Sequence, residues 1–204
     1  MVLVDALVNW PNGKVYFFSG ADYYGYDIAG EQVGPGYPRP IAANWPGLGG
    51  VSIDSAIAWP NGKAYFFSGP DYYRYDIADD RIDPGFPLPV KSNWPGLMIF
   101  GATQIQAAVL WPNGSSYFFA DNGMYYKWNV AADRIEPGYP KPIQGNWPGL
   151  WSSSLRGALV WPDPGGVPRK AYFFQRSFYM RYDITADAVD PDYPRPVSGN
   201  WRGL

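Results

Sequence analysis

The sequence predicts an all-β protein, a four-bladed β-propeller, and three observations carry that prediction. A stretch of nineteen residues, Trp59 to Ile77 (WPNGKAYFFSGPDYYRYDI), returns in close copies that begin at Trp10, Trp111 and Trp161, in steps of 49, 52 and 50 residues. Each copy holds two short aromatic runs separated by tight-turn residues, the pattern of a strand hairpin and not of a helix. A second marker, Asn-Trp-Pro-Gly-Leu, follows at Asn44, Asn93 and Asn146, with Asn-Trp-Arg-Gly-Leu at Asn200. The distance between the two tryptophans is 35 residues in the first two repeats, 36 in the third and 40 in the fourth. The extra residues fall at Asp121-Asn122-Gly123 and at Pro164-Gly165-Gly166-Val167-Pro168, both turns, where a strand scaffold accepts them.

Within one repeat the elements follow in order. The runs Val2–Trp10, Val51–Trp59, Thr103–Trp111 and Ser153–Trp161 are apolar at most positions, as expected of strands buried on both faces. Small residues near their middles (Ala6, Ser55-Ala56, Ala107-Ala108, Gly157-Ala158) allow four strands to crowd one axis, so these are the innermost strands. Trp-Pro-Asn-Gly then turns the chain, since Pro fixes one φ and Asn-Gly accepts positive φ. Second strands are expected at Lys14–Ser19, Lys63–Ser68, Ser115–Ala120 and Lys170–Gln175, and third strands at Tyr23–Ile28, Tyr72–Ile77, Tyr125–Val130 and Tyr179–Ile184. Short fourth strands follow a polar turn at Gln32-Val33, Arg81-Ile82, Arg134-Ile135 and Ala188-Val189. Three prolines within six positions, as in Pro35-Gly36-Tyr37-Pro38-Arg39-Pro40, remove ladder donors and should end the sheet. The connection onward has room for one helical turn.

A quarter of this chain is too small to bury its aromatics alone, so the four quarters are expected to form one domain, 1–204, with blades near 1–48, 49–97, 98–150 and 151–204. Beads on linkers are the rival arrangement, disfavoured by short aromatic joining segments. A net charge of −2 without a long basic run argues against an electrostatic grip on nucleic acid. There is no cysteine and no histidine, which removes disulfides, the commonest metal ligand and the usual haem ligand. Met1 to Trp10 lacks a basic start and carries Asp5, unlike a signal peptide, and no apolar run spans a bilayer. The expectation is a protein without membrane insertion, cytoplasmic or secreted by another route.

The combined pattern resembles the hemopexin-like repeat family over nearly the whole chain, Val2 to Leu204. The residues that carry the resemblance are Asp5-Ala6 with Asp54-Ser55, the Tyr-Phe-Phe-Ser-Gly and Asp-Tyr-Tyr-Arg-Tyr-Asp segments, and the Tyr-Pro-Arg-Pro-Ile to Trp-Pro-Gly-Leu endings. The resemblance implies one hemopexin-like repeat per blade and ions along the central channel. Calcium would be held by the backbone carbonyls at Asp5, Asp54, Gln106 and Arg156, and a second ring, often sodium, by those at Leu7, Ala56, Ala108 and Ala158. Main-chain oxygens suit a hard cation. Gln106 and Arg156 depart from the family's Asp and remove two nearby carboxylates. The family's frequent cysteine clamp is missing too, leaving closure to packing alone.

Trp45, Trp94, Trp147 and Trp201 are expected to wedge between blades. Trp10, Trp59, Trp111 and Trp161 lie beside turns. With Asn12, Asn61 and Asn113 they form either stacking platforms for sugars, whose C–H faces pack on indole, or core at the strand edge. Asp27, Asp76, Asp183 and Asn129 read as Asx turns. Arg74, Lys127 and Arg181 read as a solvated face, and Asp79 to Asp83 as ordinary surface charge. Without His or Cys the Ser-His and Cys-His nucleophile systems are excluded, and a carboxylate pair would have to be built four times. The function expected is therefore non-enzymatic: lectin-like binding of a glycan at repeated shallow sites, with calcium in the channel. The alternatives are a small-molecule carrier of the hemopexin type and a module docking a protein partner. As cargo, haem is disfavoured without His, whereas a polyamine would be drawn to carbonyls and acidic turns.

Overall fold

In a computed structural model, which describes residues 2–163 and 166–204, each repeat forms one antiparallel blade. Blade one comprises β1 (Ala6–Trp10), β2 (Lys14–Ser19), β3 (Asp22–Asp27), β4 (Gln32–Val33) and β5 (Arg39–Pro40), followed by the single-turn helix α1 (Ile41–Asn44). Blade two repeats this as β6 (Ser55–Ala58), β7 (Lys63–Ser68), β8 (Asp71–Asp76), β9 (Arg81–Ile82), β10 (Leu88–Pro89) and α2 (Val90–Asn93). Blade three holds β11 (Ile105–Leu110), β12 (Ser115–Ala120), β13 (Met124–Asn129), β14 (Arg134–Ile135) and β15 (Lys141–Pro142). Blade four holds β16 (Gly157–Val160), β17 (Lys170–Gln175), β18 (Phe178–Asp183), β19 (Ala188–Val189) and β20 (Arg195–Pro196). In every blade the first four strands pair in sequence order, and the fifth pairs back onto the third.

The paired phenylalanines of the second strands explain why four blades close. Side chains alternate along a strand, so consecutive residues serve opposite faces. Phe17 meets Phe174 of blade four (5.3 Å between ring centroids), while Phe18 meets Phe66 of blade two (5.8 Å). Phe67 meets Phe118 (5.9 Å) and Phe119 meets Phe173 (5.5 Å), which completes the ring. The core is accordingly four clusters, each shared between adjacent blades, and a single blade has no core of its own. Trp45, Trp94, Trp147 and Trp201, each 6% exposed or less, are the wedges the sequence predicts. Trp45 touches Trp10 and Phe18 of its own blade and Phe66 and Tyr75 of the next, mostly edge to face.

Several expectations are corrected. The inner strands are shorter than the apolar runs that contain them, because the start of the first run leaves the regular ladder: Val4 bridges to Arg176 of the last blade. Third strands begin and end one residue earlier than predicted. The sheet does not end at the prolines. Arg39, Leu88, Lys141 and Arg195 open a fifth, two-residue strand in which Pro occupies the second, outer position. Closure is not by packing alone: Val4 N donates to Arg176 O (3.0 Å) and Val33 N to Arg202 O (2.9 Å), joining the first blade to the last. The helical turn is present after blades one and two. Pro164 and Gly165 of the expected fourth-repeat insertion lie outside the described residues. Among the described residues no helix is long and apolar enough to cross a membrane.

Candidate functional site

The channel is built from the inner strands β1, β6, β11 and β16. Each pairs on one side only, with the second strand of its blade, so its other main-chain edge has no strand partner and faces the axis. Gly157, at φ 142°, shows how close the strands come: a Cβ there would stand 2.8 Å from the Leu7 side chain. Asp5, Asp54 and Arg156 hold equivalent places, since their N–H groups donate to Phe18 O, Phe67 O and Phe174 O at 2.9, 2.8 and 2.7 Å. Gln106 occupies the same place at a register shift between Ile105 and Ala107. The Asp5 and Asp54 carboxylates cap their own hairpins, accepting from Gly20 N (2.8 Å) and Gly69 N (2.6 Å).

One mouth of the channel, about 200 Å³, is lined by Asp5, Asp54, Arg156 and Arg176 among others. Burial pushes the Asp54 carboxyl above its ordinary range, against the Gly69 hydrogen bond and the Arg156 charge, which hold it down. Two polar atoms at this level are buried without a hydrogen-bond partner: Gln106 Oε1 and Arg156 Nε. The orphaned oxygen suits a hard cation, as does a ring of main-chain carbonyls. The guanidinium of Arg156 opposes one. The donor set thus fits a cation best at the ring of Leu7, Ala56, Ala108 and Ala158, two residues further from that charge. The other mouth is a cavity of about 400 Å³ walled by Trp10, Pro11, Ala58, Trp111, Pro112 and Val160, with no charged residue in its lining.

The first tryptophan of each repeat is partly buried. Each stands edge-on against the wedge tryptophan of its blade, Trp10 on Trp45, Trp59 on Trp94, Trp111 on Trp147 and Trp161 on Trp201, at 5.1 to 5.7 Å. Asn12 and Asn61 use both ends of their amides in the turn, donating to Tyr16 Oη (2.8 Å) and Tyr65 Oη (3.2 Å) and accepting from the N–H of Lys14 and Lys63. Asn113 accepts from Ser115 N (3.0 Å). The expected residues therefore divide: Trp10 and Trp111 border the channel cavity, whereas Trp59, Asn61 and Trp161 border grooves between blades. One groove, about 290 Å³, lies between blades two and three, and its counterpart, about 230 Å³, between blades four and one.

Arg74 and Arg181, in the walls of those grooves, belong to charged clusters whose importance the sequence does not announce. In blade two, Lys63 Nζ reaches Asp76 (2.5 Å) and Asp83 (3.0 Å), and Arg74 Nε reaches the same Asp83 (2.6 Å). Blade four repeats the cluster: Lys170 with Asp183 and Asp190 (both 2.8 Å), and Arg181 Nε with Asp190 (2.5 Å). The Lys63 ammonium, with the N–H groups of Asp79 and Ala78, holds Asp76 down to about 2, and Lys170 with the N–H groups of Ala186 and Thr185 does the same for Asp183. Blade one has Gly25 in place of Arg74 and Gly34 in place of Asp83, and blade three has Lys127 and Glu136. Two expectations are corrected here. Arg74 and Arg181 are not simply a solvated face, and Asp83, only 13% exposed, is not ordinary surface charge. The Asx turns are as expected, with Gly30 N on Asp27 (2.7 Å), Asp79 N on Asp76 (2.9 Å), Ala132 N on Asn129 (2.9 Å) and Ala186 N on Asp183 (2.8 Å).

Comparison with known proteins places these features in context. The family model described as Hemopexin matches four times, over residues 4–50, 53–98, 105–152 and 157–204. Matrix metalloproteinase-25 of Homo sapiens is 47% identical over 45 residues, 22% of this chain and 8% of that protein. Vitronectin of Sus scrofa is 38% identical over 92 residues, 45% of this chain and 18% of that protein. The chain thus spans less than a fifth of the length of these relatives. Among solved structures, hemopexin fold protein CP4 from cow pea superposes with a TM-score of 0.78 at 21% identity, covering 98% of this chain and 96% of its own. A plant lectin with two metal-binding sites from Cicer arietinum gives 0.78 at 19% identity, covering 97% and 95%. At these identities the likeness is one of fold.

Proposed function

Because the chain belongs to the hemopexin family, with one repeat in each of four blades, we propose that it is a non-enzymatic, lectin-like protein that binds carbohydrate, with a calcium ion in its channel. The observation that carries the reading is the repeated, partly buried indole of Trp10, Trp59, Trp111 and Trp161, each locked edge-on by a buried tryptophan. A rigid, partly buried indole offers apolar contact to sugar C–H groups at little entropic cost, and the phenol hydroxyls and charged side chains of the adjoining grooves offer partners to hydroxyls. Several weak sites on one rigid body gain avidity against a multivalent glycan surface. The similar lectin fold from Cicer arietinum supports the class of function. The absence of His and Cys from the sequence supports a role without nucleophilic catalysis.

The channel would hold calcium, or sodium, through the carbonyls of Asp5, Asp54, Gln106 and Arg156 and those of Leu7, Ala56, Ala108 and Ala158, the second ring being better placed relative to Arg156. A cation there would supply charge to unpaired main-chain dipoles of four strands at once. Its role would be structural, since the carbonyls that would hold it belong to the four inner strands and not to the grooves between blades. The test is a broad glycan array followed by calorimetry of the hits with and without calcium. Saccharide binding is expected in both conditions, tighter or more heat-resistant with calcium. Silence of the array and of calorimetry against simple sugars, with calcium present, ends this reading.

A second reading rests on the other mouth. Its 400 Å³ cavity is walled by apolar side chains and two tryptophans, which suits a small-molecule carrier. No carboxylate lines it, so a polyamine would have to enter by the Asp5 and Asp54 end instead. A Soret shift with haemin, or thermal stabilisation by spermine, would favour this reading.

A further inference from the structure

The four interfaces are of two kinds, and the difference lies in which polar groups are already spent. The turn after each third strand presents an acid in the positive-φ region: Glu31, Asp80, Asp133 and Asp187, at φ 49°, 53°, 51° and 54°. At the interface of blades one and two, Asp80 accepts from the Tyr75 hydroxyl (2.7 Å), and at that of three and four, Asp187 accepts from Tyr182 (2.8 Å). Burial and these hydrogen bonds push both phenols upward, so they stay protonated donors. At the other two interfaces the acid is uncommitted. Trp128 stands where Tyr75 and Tyr182 stand and has no hydroxyl to offer Asp133, while Glu31 makes no side-chain hydrogen bond among the described residues. Trp128 is 1% exposed, and its indole N–H, in the wall of the same groove, has no partner.

The facing walls alternate in the same way. Arg74 and Arg181 face Asp133 and Glu31 across the two grooves. Each guanidinium is fixed by its Nε on a mostly buried Asp and lies over an aromatic ring, Phe86 at 4.8 Å and Tyr193 at 5.3 Å. That anchoring orients the Nη groups as a ready fork of donors. The interface of blades one and two has no such fork, because Tyr37 lies over Gly25 so closely that a Cβ would meet its ring at 2.5 Å. At the interface of three and four the position is Lys127, without the fork geometry.

We infer that the grooves between blades two and three and between blades four and one are the saccharide sites of this protein, two per chain, each taking one uncharged pyranose residue. This rests on the carbohydrate reading above and narrows it. A hydroxyl both donates and accepts, so a neutral sugar satisfies the guanidinium on one wall and the carboxylate on the other, with Trp59 or Trp161 against its C–H face. A uronic acid would satisfy the Arg and be repelled by Asp133 or Glu31, most strongly in the groove between blades two and three because Arg195 adds a second cation to the other, and an amino sugar the reverse. The volumes, about 290 and 230 Å³, hold a single ring and not a run of them. Lying on opposite sides of the axis, the two sites can bridge separate glycans.

The test is calorimetric titration of the whole chain with the neutral monosaccharide that the array selects, alongside its uronic acid and amino analogues. Two sites per chain are expected. Asp133→Ala and Glu31→Ala, both exposed positions, should each leave one site, and the double variant should bind at least tenfold more weakly. Asp80→Ala, at a committed acid, should keep two. A count of one or four, two sites indifferent to the double variant, or analogues bound as tightly as the neutral sugar would overturn this assignment while leaving the carbohydrate reading in place. A chain that binds no saccharide at all would overturn both.

Discussion

Gly157 and Arg156 are neighbours with opposite consequences. At Gly157 a methyl group would be forced into Leu7 and into a backbone conformation that L residues avoid. Gly157→Ala is expected to cost about 1–3 kcal/mol, the usual range for overpacking, read as a lower urea midpoint with an unchanged slope. Arg156 places a charge where a cation is proposed to sit, so Arg156→Leu should increase the rise in Tm caused by millimolar calcium. An equal or smaller rise would mean that the Arg156 charge does not oppose a cation, and no rise in either protein would mean that calcium does not occupy this channel. The carboxylates set the acid limb of stability. Asp76 and Asp183 titrate near 2 in the folded chain against about 4 unfolded, so their contribution is complete above about pH 4 and is lost as pH falls toward 2. Asp54 acts in the opposite sense, because burial raises its pKa and its charged form costs stability. The double variant Asp76→Asn, Asp183→Asn should therefore show a shallower fall in Tm between pH 5 and pH 2 than the parent chain.

At the scale of the element, the wedge tryptophans carry the most packing. Trp94 contacts Trp59, Tyr65 and Phe67 of its own blade and Phe118 and Trp128 of the next. Trp94→Ala should cost about 3–5 kcal/mol and lower the unfolding temperature of the entire chain, because both blades lose the same contact. The second strands are legible to the residue in the sequence, since Trp-Pro-Asn-Gly fixes where Lys14 or Lys63 begins a strand and Ser-Gly fixes where it stops. The inner strands are less so. Val2 to Val4 look like strand because they are apolar, but Leu3 is exposed and Val4 is buried in the cluster shared with Phe174, Tyr179 and Val197 of blade four, which no local pattern records. The fifth strands are hidden by their own prolines, because a two-residue strand can place Pro where no ladder donor is needed. The charged clusters are legible only in space: Arg74 and Asp83 lie nine residues apart, and Asp133, which faces Arg74, belongs to another blade.

For the whole molecule, repetition of sequence and equivalence of sites turn out to be different properties. The Phe-Phe ring and the four wedges follow the fourfold repeat, and the fold was readable from it. The grooves follow a twofold pattern, because Gly25 and Lys127 replace the Arg of alternate blades and the phenol–acid bonds of Tyr75 with Asp80 and Tyr182 with Asp187 fall at the other two interfaces. Stability and proposed binding then share one location, the interfaces between blades, since no quarter has a core of its own. Differential scanning calorimetry of the chain, with and without a saturating saccharide from the array, tests that coupling most directly. A single endotherm that moves upward as a whole with saccharide concentration is the result predicted. Separate endotherms of which only some move, or one endotherm that ignores the sugar, would contradict it.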